Sequence, residues 1–407
     1  MSARFDRATV RVIVACLVCQ MGLGLGGYIF AVFLKPIVAE LGWTRTAFAG
    51  SGGPFLLAMA CASPLAGAAT ERFGARAVFA TAVTLVAAAL VGLSYMQSLW
   101  QFYALGLVLG AATTGLGDIP VGAVVSRWVR EGRGLVLGIV YIGSNIGGTI
   151  VPVAAATIAE ASSWRVALRV LAVLGWLVIF PAARWMIPAG AGSAAVDEST
   201  EPQDGLTLAE AMRTPAFWTL GAVLFGFYFY YLGVNNHLVA FLSDQGFTNA
   251  EAARRFGWAV AVGIAGKLAM GRLADVLPIR RVAVGTFALV MLASLLLLGV
   301  ARMPWLLPAF LTIHGFAVAA ENVMLPLMVA ECFGVAHVGR IYGALMTVLL
   351  PGGVLGPMFA GWMFDSGRGY WNAFAVFAAV NVVATVALSL IRRSQVAARI
   401  HVAREVA

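Results

Sequence analysis

Apolar residues occur along this chain in long blocks, each broken from the next by a short polar turn. The blocks fall at roughly 9–34, 46–68, 77–97, 99–126, 134–158, 164–187, 216–243, 252–273, 280–300, 303–331, 341–364 and 371–391, and each has the ~20 residues a helix needs to cross a bilayer core. The breaks carry turn or charge chemistry, as in LGWTR, ERFGAR, VREGRG, DQGFTNAEAARR and DVLPIRR. The pattern predicts twelve transmembrane helices in an all-α protein, with both termini on one side. One break differs in kind. The stretch from Ala189 to Gly205, AGAGSAAVDESTEPQDG, is polar, acidic and rich in small residues, and it separates six spans from six. The predicted organisation is an N-terminal six-helix bundle over 1–188, a linker over 189–214 and a C-terminal six-helix bundle over 215–407. Near the end of the linker, LTLAEAMRT predicts a short surface helix that stops before Pro215.

Composition agrees with this pattern. The chain is 61% hydrophobic and 11% charged, with a mean hydropathy of +0.91, whereas soluble domains are about 45–50% apolar. The net charge of +9 does not point to nucleic acid, because the arginines form neither a patch nor a basic helix and instead punctuate the ends of the spans. Arg4, Arg7, Arg72, Arg76, Arg127, Arg130 and Arg133 all fall on the side of the termini. The positive-inside rule therefore predicts both termini in the cytoplasm of a multi-pass protein of the cell inner membrane. The apolar run from Val10 to Leu34 is longer than a cleavable leader requires. Cys16 and Cys19 have CxxC spacing without further ligands nearby, so they read as packing residues, and no metal site is expected. GLGLGG lies inside a span, with no strand before it and no Lys-Ser/Thr after it, so no nucleotide loop or other cofactor is expected. Clustered metal ligands, triad spacing and a sizeable soluble domain are also lacking, which argues against an enzyme.

Polar residues within the spans carry the candidate chemistry. Lysine occurs twice, as Lys35 and Lys267, and Lys267 lies inside an apolar span in AVGIAGKLAMG. Such a charge costs about 2.5–3.5 kcal/mol at mid-membrane even on the lenient insertion scale. It marks either an anion-binding site or a side chain that snorkels to the interface near Gly271. Asp118 in GLGDIPVG and Glu321 in VAAENVML stand near the middle of spans four and ten. Each reads as a proton-coupling acid or as a hydrogen-bonded group that pins helix packing. His314 lies two turns before Glu321 on the same helical face and belongs either to that coupling set or to the core. Span seven carries Tyr228, Tyr230, Tyr231, Asn235, Asn236 and His237. Of these, Tyr231 and Asn235 are candidate substrate contacts, together with Tyr28 beside the glycines of span one and Asn145 in span five. His237, near the outer end, reads as a solvated interfacial histidine.

The two halves also match each other. GAATERFGAR from Gly67 recurs as GRLADVLPIR from Gly271, which aligns Glu71 with Asp275 and Arg76 with Arg280; Gly147, Gly148 and Pro152 align with Gly352, Gly353 and Pro357. Parallel six-span repeats are an architecture of the major facilitator superfamily of transporters. Gly67, Glu71, Arg72, Gly74 and Arg76 resemble that superfamily's GxxxDRxGxR loop, with Glu for Asp, and Gly271, Asp275 and Arg280 resemble its second copy. The resemblance implies a cytoplasmic latch at these residues. RWVREGRGLVLGIVYIGS from Arg127 resembles the helix 4–5 signature of monocarboxylate transporters, with Trp128, Arg130, Arg133, Leu135, Gly138 and Gly143 in register and Pro120 preceding. The acidic run that leads into helix 1 of animal members is missing, which points to the bacterial branch of organic-anion carriers. In KLAMGRLAD, Lys267 takes the place of the family's carboxylate-binding basic residue, and Gly263 stands where animal members place an Asp. The resemblance therefore implies a secondary transporter of a small organic anion, expected to be a monocarboxylate symporter coupled to protons and active as a monomer in the lipid bilayer. An organic-anion exchanger and a drug or other-solute transporter of the same superfamily are the alternatives.

Overall fold

The computed structural model describes residues 6–129, 133–188, 205–300, 302–334 and 337–390. The linker from Ala189 to Asp204 lies outside the described residues. The first span comprises α1 (Arg7–Met21) and α2 (Phe30–Leu41), joined through a π-helical turn at Gly24–Tyr28. The second comprises α3 (Arg45–Ala49) and α4 (Gly52–Phe73), and the third is α5 (Ala75–Ser94). Span four divides into α6 (Leu99–Thr114) and α7 (Asp118–Trp128); α8 (Arg133–Ala161) and α9 (Trp164–Pro181) follow. The short α10 (Leu208–Met212) precedes the remaining six: α11 (Pro215–Asp244), α12 (Asn249–Val276), α13 (Ile279–Val300), α14 (Leu307–Phe333), α15 (Val338–Asp365) and α16 (Gly369–Leu390). The short helix expected from LTLAEAMRT is α10. Thr207 caps it, and the two hydrogen bonds that Thr207 donates to Glu210 hold that carboxyl below its usual range.

Ten of the described spans are long and apolar enough to cross a membrane. The two other long helices are those that carry the intramembrane candidates: α12 with Lys267 and α14 with His314 and Glu321.

The helices form two compact units. Unit 1 contains Met1–Val196 and Asn235–Ala261, and unit 2 contains Asp197–Val234 and Val262–Ala407. The later part of α11 and the first half of α12 thus pack with the N-terminal helices. This arrangement overturns the interfacial reading of His237, which is fully buried. Its segment joins unit 1, and the apolar neighbours Leu238, Val239 and Ala240 are buried with it.

Small residues set the closest helix crossings, because an added methyl would meet a backbone carbonyl at each. In unit 1, Gly147 on α8 faces the carbonyl of Met21 on α1, and Gly143 faces that of Leu17. In unit 2, Gly352 on α15 faces the carbonyl of Phe225 on α11, and Gly356 faces that of Phe229. Gly147 and Gly352 are repeat partners in sequence, so the repeat reappears as one packing solution used in both units.

The two copies of the repeated turn close by different means. Gly74 ends α4 with φ +79°, in the left-handed region where a side chain is strained. At the matching position the second copy has Pro278, whose ring fixes φ near −65° and starts α13 at Ile279.

Candidate functional site

In unit 2 the candidate residues gather where α12 crosses α14. Gly266 faces the Phe316 carbonyl, and Met270 packs with Ala320 and Met324 in one buried cluster. The two helices run in the same direction at this crossing, which places half-buried Lys267 about one turn, or ~6 Å along the axis, from the level of Glu321. Glu321 is fully buried, and its Oε1 has no hydrogen-bond partner among the described residues. Two turns earlier on α14, His314 is buried against Phe310, with ring centroids 5.2 Å apart. Its Nδ1 lies 2.7 Å from the hydroxyl of Tyr230 on α11, and Tyr230 is itself fully buried. This hydroxyl and imidazole nitrogen satisfy each other in a buried, largely apolar setting. Tyr231 is half-buried, stacked on Phe227 at 5.6 Å and edge-on to Tyr228 at 6.0 Å.

In unit 1, span four breaks at Gly115–Gly117, and Asp118 opens α7. The sequence reading placed Asp118 within one continuous span. The structure places it instead in the first turn of a new helix, where the amide dipoles favour a carboxylate. Asp118 is exposed on one side and accepts a 2.8 Å hydrogen bond from Nε2 of Gln20 on α1. Sequence reasoning passed over Gln20, an uncharged residue in an apolar run. Asn145 is buried and donates through Nδ2 to the carbonyl of Val260 at 2.9 Å. Tyr28 is half-buried, 6.3 Å from the ring of Phe256. Half-buried Asn235 begins the part of α11 that belongs to this unit.

A second polar cluster in unit 1 also lay beyond the sequence reading. Asp244, the last residue of α11, pairs with Lys35 of α2 at 2.8 Å and with Arg45, the first residue of α3, at 2.7 Å and 3.2 Å. Arg45 is buried, so its fork and this carboxylate satisfy each other in a partly desolvated setting. Nearby, Glu160 of α8 accepts from the main-chain N–H of Ala250 at 2.6 Å, in the first turn of α12. Glu40 of α2 accepts from Trp164 at 2.6 Å and from Arg165 at 2.9 Å.

The repeated turns look different. Gly67 on α4 faces Ile119 of α7, whereas Glu71 and Arg72 are exposed, with the Arg72 guanidinium 5.1 Å from the Phe73 ring centroid. Arg76 is half-buried in the first turn of α5. Gly271 lies within α12 with open space beside it, and Arg280 donates to the carbonyl of Ser389 at 2.5 Å. The side chain of Asp275 lies outside the described residues, as does Arg130.

Comparison with known proteins places this architecture. The mouse protein named monocarboxylate transporter 11 is 26% identical over 334 residues, 77% of this chain and 72% of its own length. An uncharacterised transporter of Escherichia coli K12, YhjX, is 24% identical over 362 residues, 84% of this chain and 85% of its own length. Among solved structures, a bacterial homologue of the lysosomal transporter Spinster, in an inward-facing and occupied conformation, superposes with a TM-score of 0.77. It covers 97% of this chain and 98% of its own at 16% identity, which is a likeness of fold. The sequence profile of the Major Facilitator Superfamily matches residues 16–298 and again 253–405, and with two matching six-span halves the chain belongs to that superfamily.

Proposed function

We propose that the chain is a secondary active transporter, not an enzyme, that moves a small monocarboxylate with protons by alternating access. The reading places it as a monomer in the cell inner membrane with both termini cytoplasmic. The observation that carries it is Lys267, a cation inside an apolar helix, with the buried Glu321 of the neighbouring α14 about one turn from its level along the axis. A cation anchors a carboxylate. An adjacent acid competes for the same charge, so substrate binding and protonation are linked. The relatives named monocarboxylate transporters, from mouse and from cattle, support the substrate class.

Under this reading, substrate approaches Lys267, with Tyr231, Asn235, Tyr28 and Asn145 as candidate contacts. Asp118, Glu321 and His314 hold or pass the proton. Gly67, Glu71, Arg72, Gly74 and Arg76, with Gly271, Asp275 and Arg280, form the cytoplasmic gate. The test is uptake of labelled lactate and of a small aromatic acid into proteoliposomes, recorded together with lumen pH. Substrate-dependent acidification of the lumen is the expected result. Uptake only against a preloaded anion, without proton movement, would replace symport by exchange, and uptake of an organic cation would overturn the assignment.

A further inference from the structure

Gln20 is fully buried on α1, and its two amide atoms are in unequal positions. Nε2 donates to Asp118 Oδ1 at 2.8 Å, whereas Oε1 has no hydrogen-bond partner among the described residues. Leaving an amide oxygen unpaired inside a protein is costly, so such an oxygen beside a titratable acid calls for a reason. Asp118 supplies one. When ionised, it only accepts, and Nε2–H suits it; when neutral, it carries an O–H that needs an acceptor. A half-turn about the Cγ–Cδ bond of Gln20 exchanges oxygen and nitrogen within nearly the same volume, and no repacking of α1 is required. The open side of Asp118 is where a proton arrives, since the residue is exposed there while Gln20 closes the other side.

From this we infer that Gln20 is the positioning residue for proton coupling at Asp118, its amide pairing with the acid in both protonation states. The inference rests on the proton-coupled reading of Asp118. The balance is simple: a proton from water on the open side binds the carboxylate, the new O–H donates to Oε1, and the same proton returns to water after the change of access.

Other titratable and charged groups stand on α7 and on the helices packed against it. Tyr141 of α8 hydrogen-bonds Asp118 at the main chain, its hydroxyl donating to the carbonyl at 3.4 Å, and so stands close to the carboxylate as well. From α1 come the buried thiols of Cys16 and Cys19. From α4, Glu71 stands one turn beyond Gly67, the residue that faces Ile119, and α5 carries Arg76 in its first turn. On α7 itself, Arg127 stands in the last turn. Among the described residues, Gln20 is the side chain that hydrogen-bonds the carboxylate.

The experiment is the pH profile of uptake in proteoliposomes containing the full chain, for wild type, Gln20→Met and Gln20→Glu. Methionine keeps the volume and removes both hydrogen bonds. Because the bond to the ionised acid is the stronger of the two, its loss favours the neutral acid, and the pH of half-maximal uptake should rise by about 0.5–1 unit. Glutamate places a second carboxyl against the first, so that the pair shares one proton, and should raise the midpoint further. In an Asp118→Asn background, Gln20→Met, which adds no titratable group, should no longer shift the pH dependence of substrate binding. A purely structural role would lower maximal uptake at every pH and leave the midpoint in place, and that result would overturn the inference while leaving proton-coupled transport intact. Absence of substrate-dependent acidification in wild type would remove both. If Gln20→Met fails to give a monodisperse protein on size exclusion, Gln20→Glu, which is isosteric and polar, decides the matter with the same readout.

Discussion

Lys267 carries its charge at the end of a flexible stem, and α12 holds it half-buried beside the tightest part of the crossing with α14. Truncation to Ala leaves a bound carboxylate without its cation in a low-dielectric setting, a loss of about 2–5 kcal/mol, or roughly 30- to several-thousand-fold in affinity. Isothermal titration of Lys267→Ala with the transported acid should therefore show no measurable binding, while Lys267→Arg should retain part of it, because charge is kept and geometry is altered. Wild-type affinity in Lys267→Ala would return the residue to an interfacial, snorkelling role. The sequence displays Lys267 openly, since a charge in an apolar block stands out. Gln20 was hidden for the opposite reason: an uncharged amide costs little in a hydropathy pattern, and only its 2.8 Å contact with Asp118, 98 residues away, marks it. Tyr230 was visible as one of several tyrosines in span seven, but nothing local separates the one that meets His314 from Tyr228 and Tyr231.

At the scale of elements, the prediction concerns the end of unit 1 where α2, α3 and α11 meet. Asp244 receives Lys35 and the fork of buried Arg45, and under the proposed orientation this cluster lies on the outer side, where it holds α11 against the N-terminal helices. Asp244→Asn leaves Arg45 buried without its counter-charge, which costs about 3–5 kcal/mol for a fully buried pair and less here because Asp244 is one-quarter exposed. The purified Asp244→Asn variant should therefore unfold at a lower temperature than wild type. Asp244→Glu, which keeps a carboxylate facing both Lys35 and Arg45, should lose less, and an unchanged unfolding temperature in Asp244→Asn would mean that the cluster does not hold α11 in place. The partners are 199 residues apart, and each looks like an ordinary turn charge in sequence, so no local pattern joins them. Turn chemistry, by contrast, was readable where it is local. The polar break ERFGAR marks the turn between spans two and three; the positive φ of Gly74, and its replacement by Pro278 in the second copy, are what the structure adds. The break of span four at Gly115–Gly117 falls between these cases: its glycines are visible, but an apolar run that continues through them reads as one helix.

For the whole molecule, the twelve-span pattern and the six-plus-six repeat were legible because both arise from chain-long regularities, block hydropathy and recurring glycines, that a fold of this kind cannot do without. The repeat extends to packing, where Gly147 against Met21 and Gly352 against Phe225 use one device in two units. Gly147→Leu should therefore force α1 and α8 apart, at a cost of about 1–3 kcal/mol or more, and lower the thermal unfolding temperature of the purified protein; Gly352→Leu should do the same in unit 2. Substrate preference belongs to this scale as well. In unit 2, the described part of the α12–α14 crossing offers Lys267 as its basic side chain, with buried Glu321 about a turn away along the axis. A dicarboxylate brings a second negative charge that would have to be buried beside an acid, which is unfavourable unless another cation is supplied. Net uptake should accordingly favour lactate over malonate by at least tenfold in a competition assay, and should increase as external pH falls, as the proposed competition between acid and substrate for the cation requires. Glu321→Gln removes the competitor permanently. It should leave binding at high pH stronger than in wild type while abolishing the response of uptake to a pH gradient, and a variant that still follows the gradient would move the coupling to Asp118 alone.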